Sequence, residues 1–218
     1  MAITGLSLCG FLVVHLGGNL LLYAGEEKFN AYAHALHSQG ALLKVAEVGL
    51  FSLFAAHLGL AVSTGAMSRM ARSQSYAMKE SKQGIFALPA GGASSWMGVT
   101  GVLIGIFVIT HLLDLRLKMN PLVKYPAPVA AAEGMTPELN EFEVVRTVLS
   151  SPINAVVYFI GIFALGIHLT HGLRSAFHSL GLNGRRWDSL LKCGSLLFGW
   201  VIAAGFISLI FWSFAVPR

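Results

Sequence analysis

The stretch WMGVTGVLIGIFVITHLLDL, from Trp96 to Leu115, decides the fold of this chain. It is apolar and long enough to cross a bilayer, for which a helix needs about 20 residues. His111 lies in its second half. An ionisable residue at hydrocarbon depth is costly, so it indicates a functional role and should have a partner.

A second stretch repeats this pattern. TGLSLCGFLVVHL begins at Thr4 and matches TGVLIGIFVITHL, which begins at Thr100, with a Thr-Gly pair eleven and ten residues before the histidine in both. The repeat predicts two helices that present imidazoles, from His15 and His111, at matching depth.

The composition is that of a polytopic membrane protein with one domain, residues 1–218. Hydrophobic residues make up 55% of the chain, charged residues only 11%, and mean hydropathy is +0.69. A soluble domain would carry about 25% charged residues. The net charge of +5 is better interpreted loop by loop than as a sign of nucleic-acid binding, and no nucleic-acid partner is expected. Cys9 and Cys193 do not suggest a disulfide scaffold, and the absence of C-x-x-C-H from the sequence excludes a covalently attached c-type haem.

Five stretches are apolar enough to span a membrane, so the predicted fold is all-α with five transmembrane helices. The first lacks a basic leader and a small-residue cleavage site, so it is expected to be a retained helix. The predicted spans cover about residues 3–23, 43–67, 96–115, 153–173 and 190–214.

The connections predict an orientation. Basic loops stay cytoplasmic, so the N-terminus is expected inside and the C-terminus outside, with the long third connection, Met119–Ser151, external and partly irregular. The connections after spans two and four carry Arg69, Arg72, Lys79, Lys82, Arg174, Arg185, Arg186 and Lys192 against Glu80 and Asp188. The other two are mildly acidic through Glu26, Glu27, Glu47, Asp114, Glu133, Glu138, Glu141 and Glu143.

This orientation sorts four histidines by depth, at about 1.5 Å per residue. We define an outer pair, His15 with His111, and an inner pair, His57 with His168. The two levels are expected to differ by about 10 Å. Each pair comes from two helices that run in the same direction, which are diagonal neighbours if the first four spans form a bundle.

Paired imidazoles at two levels are typical of haem ligation. Neutral imidazole is a common metal ligand and an axial ligand of haem iron, and two imidazoles fill both axial positions. A zinc site would require three or four grouped ligands. We therefore expect the first four spans to hold two stacked b haems that conduct electrons across the membrane. A polar contact between helices is the alternative for any one histidine.

Four further histidines leave alternatives open. His171 lies nearly on the face of His168 and could be the ligand instead. His178 is either solvated near the cytoplasmic surface or a partner of a haem propionate. His34 and His37 fall in FNAYAHALHSQG, which is expected to be an external interfacial helix with packing roles.

With these residues in place, the sequence resembles the single-chain, five-helix, dihaem cytochrome b subunit of succinate:quinone oxidoreductases and quinol:fumarate reductases. The resemblance covers almost the whole chain. It depends on the two TG-x9-H patterns, on His57 in FAAHLGLA and on His168 in IHLTHGL, which is followed by Arg174. It implies that His57 and His168 bind an inner haem and that His15 and His111 bind an outer haem.

The same resemblance implies the partners and the setting. The chain would anchor a flavoprotein and an iron–sulfur subunit on the cytoplasmic face of a bacterial inner membrane, with the basic loops as the docking face. Electrons would pass through both haems to or from a quinone near the outer haem, with menaquinone expected. This chain has too few cysteines for an iron–sulfur cluster of its own.

One position departs from the family pattern. In one branch a glutamate at the external end of span two serves proton release from menaquinol, and Asn30 stands at the corresponding place here. Asn30 cannot accept a proton in that way, so the proton route differs. Glu47, His34 and His37 are the nearby substitutes.

Two other functions are compatible with the sequence. The chain could be the cytochrome b anchor of a hydrogenase or formate dehydrogenase, although the acidic outer face disfavours that partner. It could also be a haem-free transporter with a histidine relay, although transporters usually have inverted repeats with broken helices, whereas this repeat keeps one orientation.

Overall fold

The structure is a computed structural model that describes residues 1–71, 93–128, 139–182 and 184–216, without the side chains of residues 93–95 and 185. Of the described residues, 85% are helical and none is in a strand. They form seven α-helices: α1 (Ala2–Asn19), α2 (Glu26–His37), α3 (Ala41–Met70), α4 (Ala93–His111), α5 (Glu141–Leu149), α6 (Pro152–Ser179) and α7 (Arg185–Ala215).

Five of these helices are long and apolar enough to cross a membrane, which confirms the prediction of five spans. They cover Ala2–Ala24, Ala41–Met70, Trp96–Arg116, Pro152–Ser179 and Arg186–Ala215. The first and third spans change their hydrogen-bond pattern near their ends. A 3₁₀ turn (Leu20–Ala24) extends α1, and a π-helical turn (Leu112–Arg116) extends α4.

The two remaining helices are short. Helix α2 corresponds to the helix expected in the segment FNAYAHALHSQG, which begins at Phe29. In the structure the helix begins three residues earlier, at Glu26. The third connection is irregular over residues 117–128 and then forms α5, whose first turn is capped by Asn140 as its side chain accepts a hydrogen bond from the Glu143 N–H (3.2 Å).

Side-chain contacts define the two ends of the bundle. We call the end that contains the chain N-terminus the N end. There Thr4 contacts His57, and Arg174 contacts Asp188. At the opposite end, the C end, Arg116 contacts Glu47 and the Tyr23 hydroxyl donates a hydrogen bond to Ser208 (2.8 Å). Residues 72–92 and 129–138 lie outside the described residues, and with them the predicted loop charges Arg72, Lys79, Glu80, Lys82, Glu133 and Glu138.

Helix α6 is the centre of the fold. It packs most extensively against α7 and α4 and also against α1, and its buried residues include Tyr158, Ile162 and Leu169. Helix α3 is the opposite case, because none of its 30 residues is buried and its main contacts are with α1. Helix α3 is therefore the least buried of the five spans.

Candidate functional site

The outer pair lies side by side. The ring centroids of His15 and His111 are 5.8 Å apart and their planes are nearly perpendicular, at 87°. Aromatic side chains surround them: Phe11 stacks on His15 at 5.2 Å, and Phe107 and Tyr158 lie 5.7 and 5.9 Å from His111. The two imidazoles thus meet between α1 and α4 in largely apolar surroundings.

The inner pair is held from the N-terminal halves of the same two helices. The Thr4 hydroxyl lies 3.0 Å from Nδ1 of His57, and the Thr100 hydroxyl lies 3.2 Å from Nδ1 of His168. His57 also lies close enough to His168 to interact with it electrostatically, as does His171. A Cβ on Gly5 would stand 3.4 Å from Cε1 of His57, so the glycine leaves room for that ring.

These contacts fix the spacing of the two levels. Thr4 contacts the inner pair and His15 belongs to the outer pair, and eleven residues of helix separate them on α1. At 1.5 Å per residue this corresponds to about 16 Å, and Thr100 and His111 have the same spacing on α4. The levels are therefore further apart than the roughly 10 Å expected from the sequence, because both inner histidines lie at the depth of the threonines.

A buried polar cluster adjoins the outer pair. Asp114 is fully buried (0% exposed), Asn154 is 2% exposed and Tyr158 3% exposed. Oδ1 of Asp114 accepts a hydrogen bond from the Asn120 amide (2.6 Å). Of the six buried side-chain atoms without a hydrogen-bond partner among the described residues, four belong to this cluster and to His111: Nδ1 of His111, Oδ2 of Asp114, Nδ2 of Asn154 and the Tyr158 hydroxyl.

This cluster was not evident from the sequence, in which Asp114 counts as a loop charge. The π-helical turn that follows His111 carries Asp114 inward. Its carboxylate lies near Tyr158 and interacts with it electrostatically, although the two make no well-formed hydrogen bond. Nearby, burial raises the pKa of the Tyr125 hydroxyl; the hydrogen bond from the Asn120 N–H opposes this in part, and the Asp114 charge adds a smaller increase.

The N end carries a polar cavity of about 410 Å³ lined by His171, Arg174, Ser175, His178 and Ser179. Arg174 forms an ion pair with Asp188 at 2.5 Å, and Nε2 of His178 lies 3.5 Å from the same carboxylate. His171 and His178 thus lie on one face of α6 with Arg174 between them, beyond His168.

The C end carries a second cavity of about 400 Å³, whose lining includes Asn30, His34, His37, Asn140 and Glu141. His34 and His37 are exposed. The Asn30 amide is already used, since it donates to Asn140 (2.9 Å) and accepts from the Phe142 N–H (3.0 Å). Glu47, the other residue considered for proton transfer, is held by Arg116 through two bonds of 2.9 and 3.0 Å.

Sequence reasoning missed the role of the threonines, although it noticed the repeat that contains them. The useful signal was the equal spacing within the two copies: each motif contributes a threonine to the inner pair and a histidine to the outer pair.

No protein-family model matches this chain, and no curated protein or solved structure is detectably similar to it.

Proposed function

We propose that this chain is a membrane-embedded cytochrome b that binds two haems, each between two histidines. The observation that carries the proposal is the pairing itself. Four spanning helices each contribute one of these imidazoles. The rings of His15 and His111 lie 5.8 Å apart, whereas His57 and His168 interact electrostatically and each contacts a threonine that precedes an outer histidine by eleven residues.

The residues fit this cofactor. Two imidazoles that share one metal ion, each with a nitrogen about 2 Å from it, have ring centres on the order of 6 Å apart. The His15–His111 separation of 5.8 Å is close to that value. In addition, α3 carries His57 but buries none of its residues, so a flat cofactor could pack against this helix without displacing a close-packed core.

The two pairs would serve electron transfer and not catalysis on a bound substrate. A haem held by two imidazoles would supply one-electron transfer, and the two histidines would leave no position open for oxygen or another ligand. The protein would hold each pair of rings at its depth and exclude water with the surrounding Phe11, Phe107 and Phe206.

For the complex, we propose the membrane anchor of a succinate:quinone oxidoreductase or quinol:fumarate reductase in a bacterial inner membrane. The support is the sequence resemblance, together with cationic side chains at the N end, Arg69, Arg174, Arg186 and Lys192, where a flavoprotein and an iron–sulfur subunit would dock. The cavity at the C end, beside Asn30 and Asn140, offers a place for the quinone on the side of the outer pair.

The first experiment measures haem in the purified full-length protein. A reduced-minus-oxidised visible spectrum and a haem-to-protein ratio should give two b haems per chain. His57→Ala or His168→Ala should remove the inner haem, and His15→Ala or His111→Ala the outer haem, because each loses one of its two ligands. His37→Ala on the exposed end of α2 is the matched control and should keep both.

The outcomes separate the alternative functions. A protein without haem at full expression would contradict the proposal and favour a histidine-relay transporter. Both haems retained in an inner-pair or outer-pair variant would show that the pairing is wrong. If the haems are present but a periplasmic hydrogenase or formate dehydrogenase copurifies in place of a flavoprotein and an iron–sulfur protein, the cytochrome stands and the proposed complex does not.

A further inference from the structure

The repeated Thr-Gly motif places one threonine on each inner histidine. Thr4 on α1 reaches His57 on α3, and Thr100 on α4 reaches His168 on α6. In both cases the contact is between the hydroxyl oxygen and Nδ1, at 3.0 and 3.2 Å. The two halves of the site are therefore built in the same way from different helices.

The proton of each hydroxyl has another acceptor. The Thr4 hydroxyl donates to the Met1 carbonyl at 2.9 Å. The Thr100 hydroxyl lies 2.9 Å from the Trp96 carbonyl and 3.2 Å from that of Met97. A hydroxyl has one proton to donate and two lone pairs that accept. If the backbone carbonyl takes that proton, the contact with the histidine requires Nδ1 to be the donor.

A neutral imidazole that carries its proton on Nδ1 has its free lone pair on Nε2. Nε2 is then the atom that can bind a metal, and the hydrogen bond at Nδ1 fixes both the tautomer and the orientation of the ring. Gly5 contributes to the same arrangement, because a Cβ there would stand 3.4 Å from Cε1 of His57.

We propose that Thr4 and Thr100 are positioning residues that hold His57 and His168 by Nδ1 and direct Nε2 of each ring to the inner haem. This inference rests on the proposed function. It adds the residues that orient the two histidines of the inner haem and that increase the electron donation from these histidines to the iron. A neutral Nδ1–H···O bond increases the basicity of the ligand, which stabilises ferric over ferrous iron.

The outer pair has no equivalent support. Nδ1 of His15 lies 3.5 Å from the amide nitrogen of Asn19, which is a donor and bonds the His15 carbonyl at 2.8 Å. Nδ1 of His111 has no hydrogen-bond partner among the described residues. Removing a threonine hydroxyl should therefore change only the inner haem, and the outer haem serves as an internal reference in the same sample.

The experiment compares Thr4→Val and Thr100→Val with Thr4→Ser and Thr100→Ser in the full chain. Thr64→Val is the matched control, because the Thr64 hydroxyl bonds a carbonyl of its own helix, that of Leu60, and is exposed. Redox titration and low-spin electron paramagnetic resonance report each haem separately, and dilution into haem-free apomyoglobin reports how readily each haem leaves.

In the valine variants we expect the reduction potential of the inner haem to rise and its g-values to shift. We also expect the inner haem to leave about 10- to 100-fold more readily, the usual effect of losing such a hydrogen bond to a metal ligand. The outer haem should not change. The serine variants, which keep the hydroxyl, and Thr64→Val should behave as the wild type.

Two haems with unchanged properties in both valine variants would overturn this inference alone, and so would serine variants that behave like valine variants. A wild-type protein without haem would overturn the proposed function as well. If the valine variants do not accumulate, ¹⁵N chemical shifts of His57 and His168 in the wild type decide the question: rings protonated at Nε2 in the haem-free protein would contradict the proposal.

Discussion

Asn30 is the residue for which sequence and structure suggest different roles. Under the proposed resemblance it would stand where one branch of the cytochrome b family has a proton-accepting glutamate. In the structure its amide joins α2 to α5, because it donates to Asn140 and accepts from the backbone N–H of Phe142. Asn140 in turn caps α5 and donates to Glu26 at 2.6 Å. An amide with these partners acts as a structural link between two helices.

We therefore predict that Asn30→Ala lowers the stability of the protein and leaves the content of the proposed haems unchanged. The substitution leaves the Phe142 N–H in the first turn of α5 without its acceptor, and an unsatisfied buried group costs about 1–3 kcal/mol. Thermal unfolding in detergent measures this loss. Gln39→Ala, which removes an exposed amide bonded to the Ala35 carbonyl at 3.3 Å, should stay within about 0.5 kcal/mol of the wild type. Unchanged stability of Asn30→Ala would argue for a role in the C-end cavity.

At the scale of elements, the long spans were predictable because burial in lipid imposes one simple requirement, about 20 apolar residues per helix. Helix ends and partners were not. The π-helical turn that buries Asp114 is held by hydrogen bonds from Asn120 and Tyr125 in the irregular connection that follows it, and the periodicity of the helix does not encode these bonds. The inner and outer pairs could be proposed from spacing alone because helical rise converts residue number into depth.

The close packing of α6 on α7 depends on small residues whose facing could not be deduced before both helices were placed. A Cβ on Gly199 would lie 2.8 Å from the Gly166 carbonyl oxygen and 2.9 Å from Cγ2 of Thr170. On the same helix, a Cβ on Gly194 would meet nothing within 4 Å. In membranes, small residues at a helix interface let the backbones approach and gain dispersion contacts.

The two glycines make a matched pair for a test. Gly199→Ala should destabilise the protein by about 1–3 kcal/mol, the usual cost of overpacking, because a backbone carbonyl cannot move aside as a flexible side chain can. Gly194→Ala should be neutral or slightly stabilising, since alanine is the better helix former. Unfolding by a denaturing detergent, followed by circular dichroism, compares both with the wild type. Equal stability of the two variants would mean that α6 and α7 do not approach this closely.

For the whole molecule, charge separates the two ends of the bundle. By sequence, the connections of the N end contain eight Lys or Arg and two Asp or Glu. The connections of the C end, together with Arg218 at the C-terminus, contain seven Lys or Arg and eight Asp or Glu. At the C end three cations are paired with carboxylates: Arg116 with Glu47 (2.9 Å), Lys118 with Glu141 (2.7 Å) and Arg146 with Glu143 (2.6 Å). At the N end Arg174 is paired with Asp188 in the same way. The N-end connections also hold more cations, eight against six when Arg218 at the C-terminus is left out.

This difference leads us to predict that the N end faces the cytoplasm. Lys and Arg near short loops resist translocation, and carboxylates contribute little to this effect, so the larger number of cations in the N-end connections favours the cytoplasmic side for that end. Alkaline phosphatase fused after Arg218 should be active in a bacterial host, and green fluorescent protein at the same position should stay dark. The same reporters fused after Gly181, where α6 has returned to the N end, should give the reverse result. A fluorescent fusion at Arg218 would place the C end inside, and the docking face proposed for the soluble subunits would then have to move to the opposite side of the membrane.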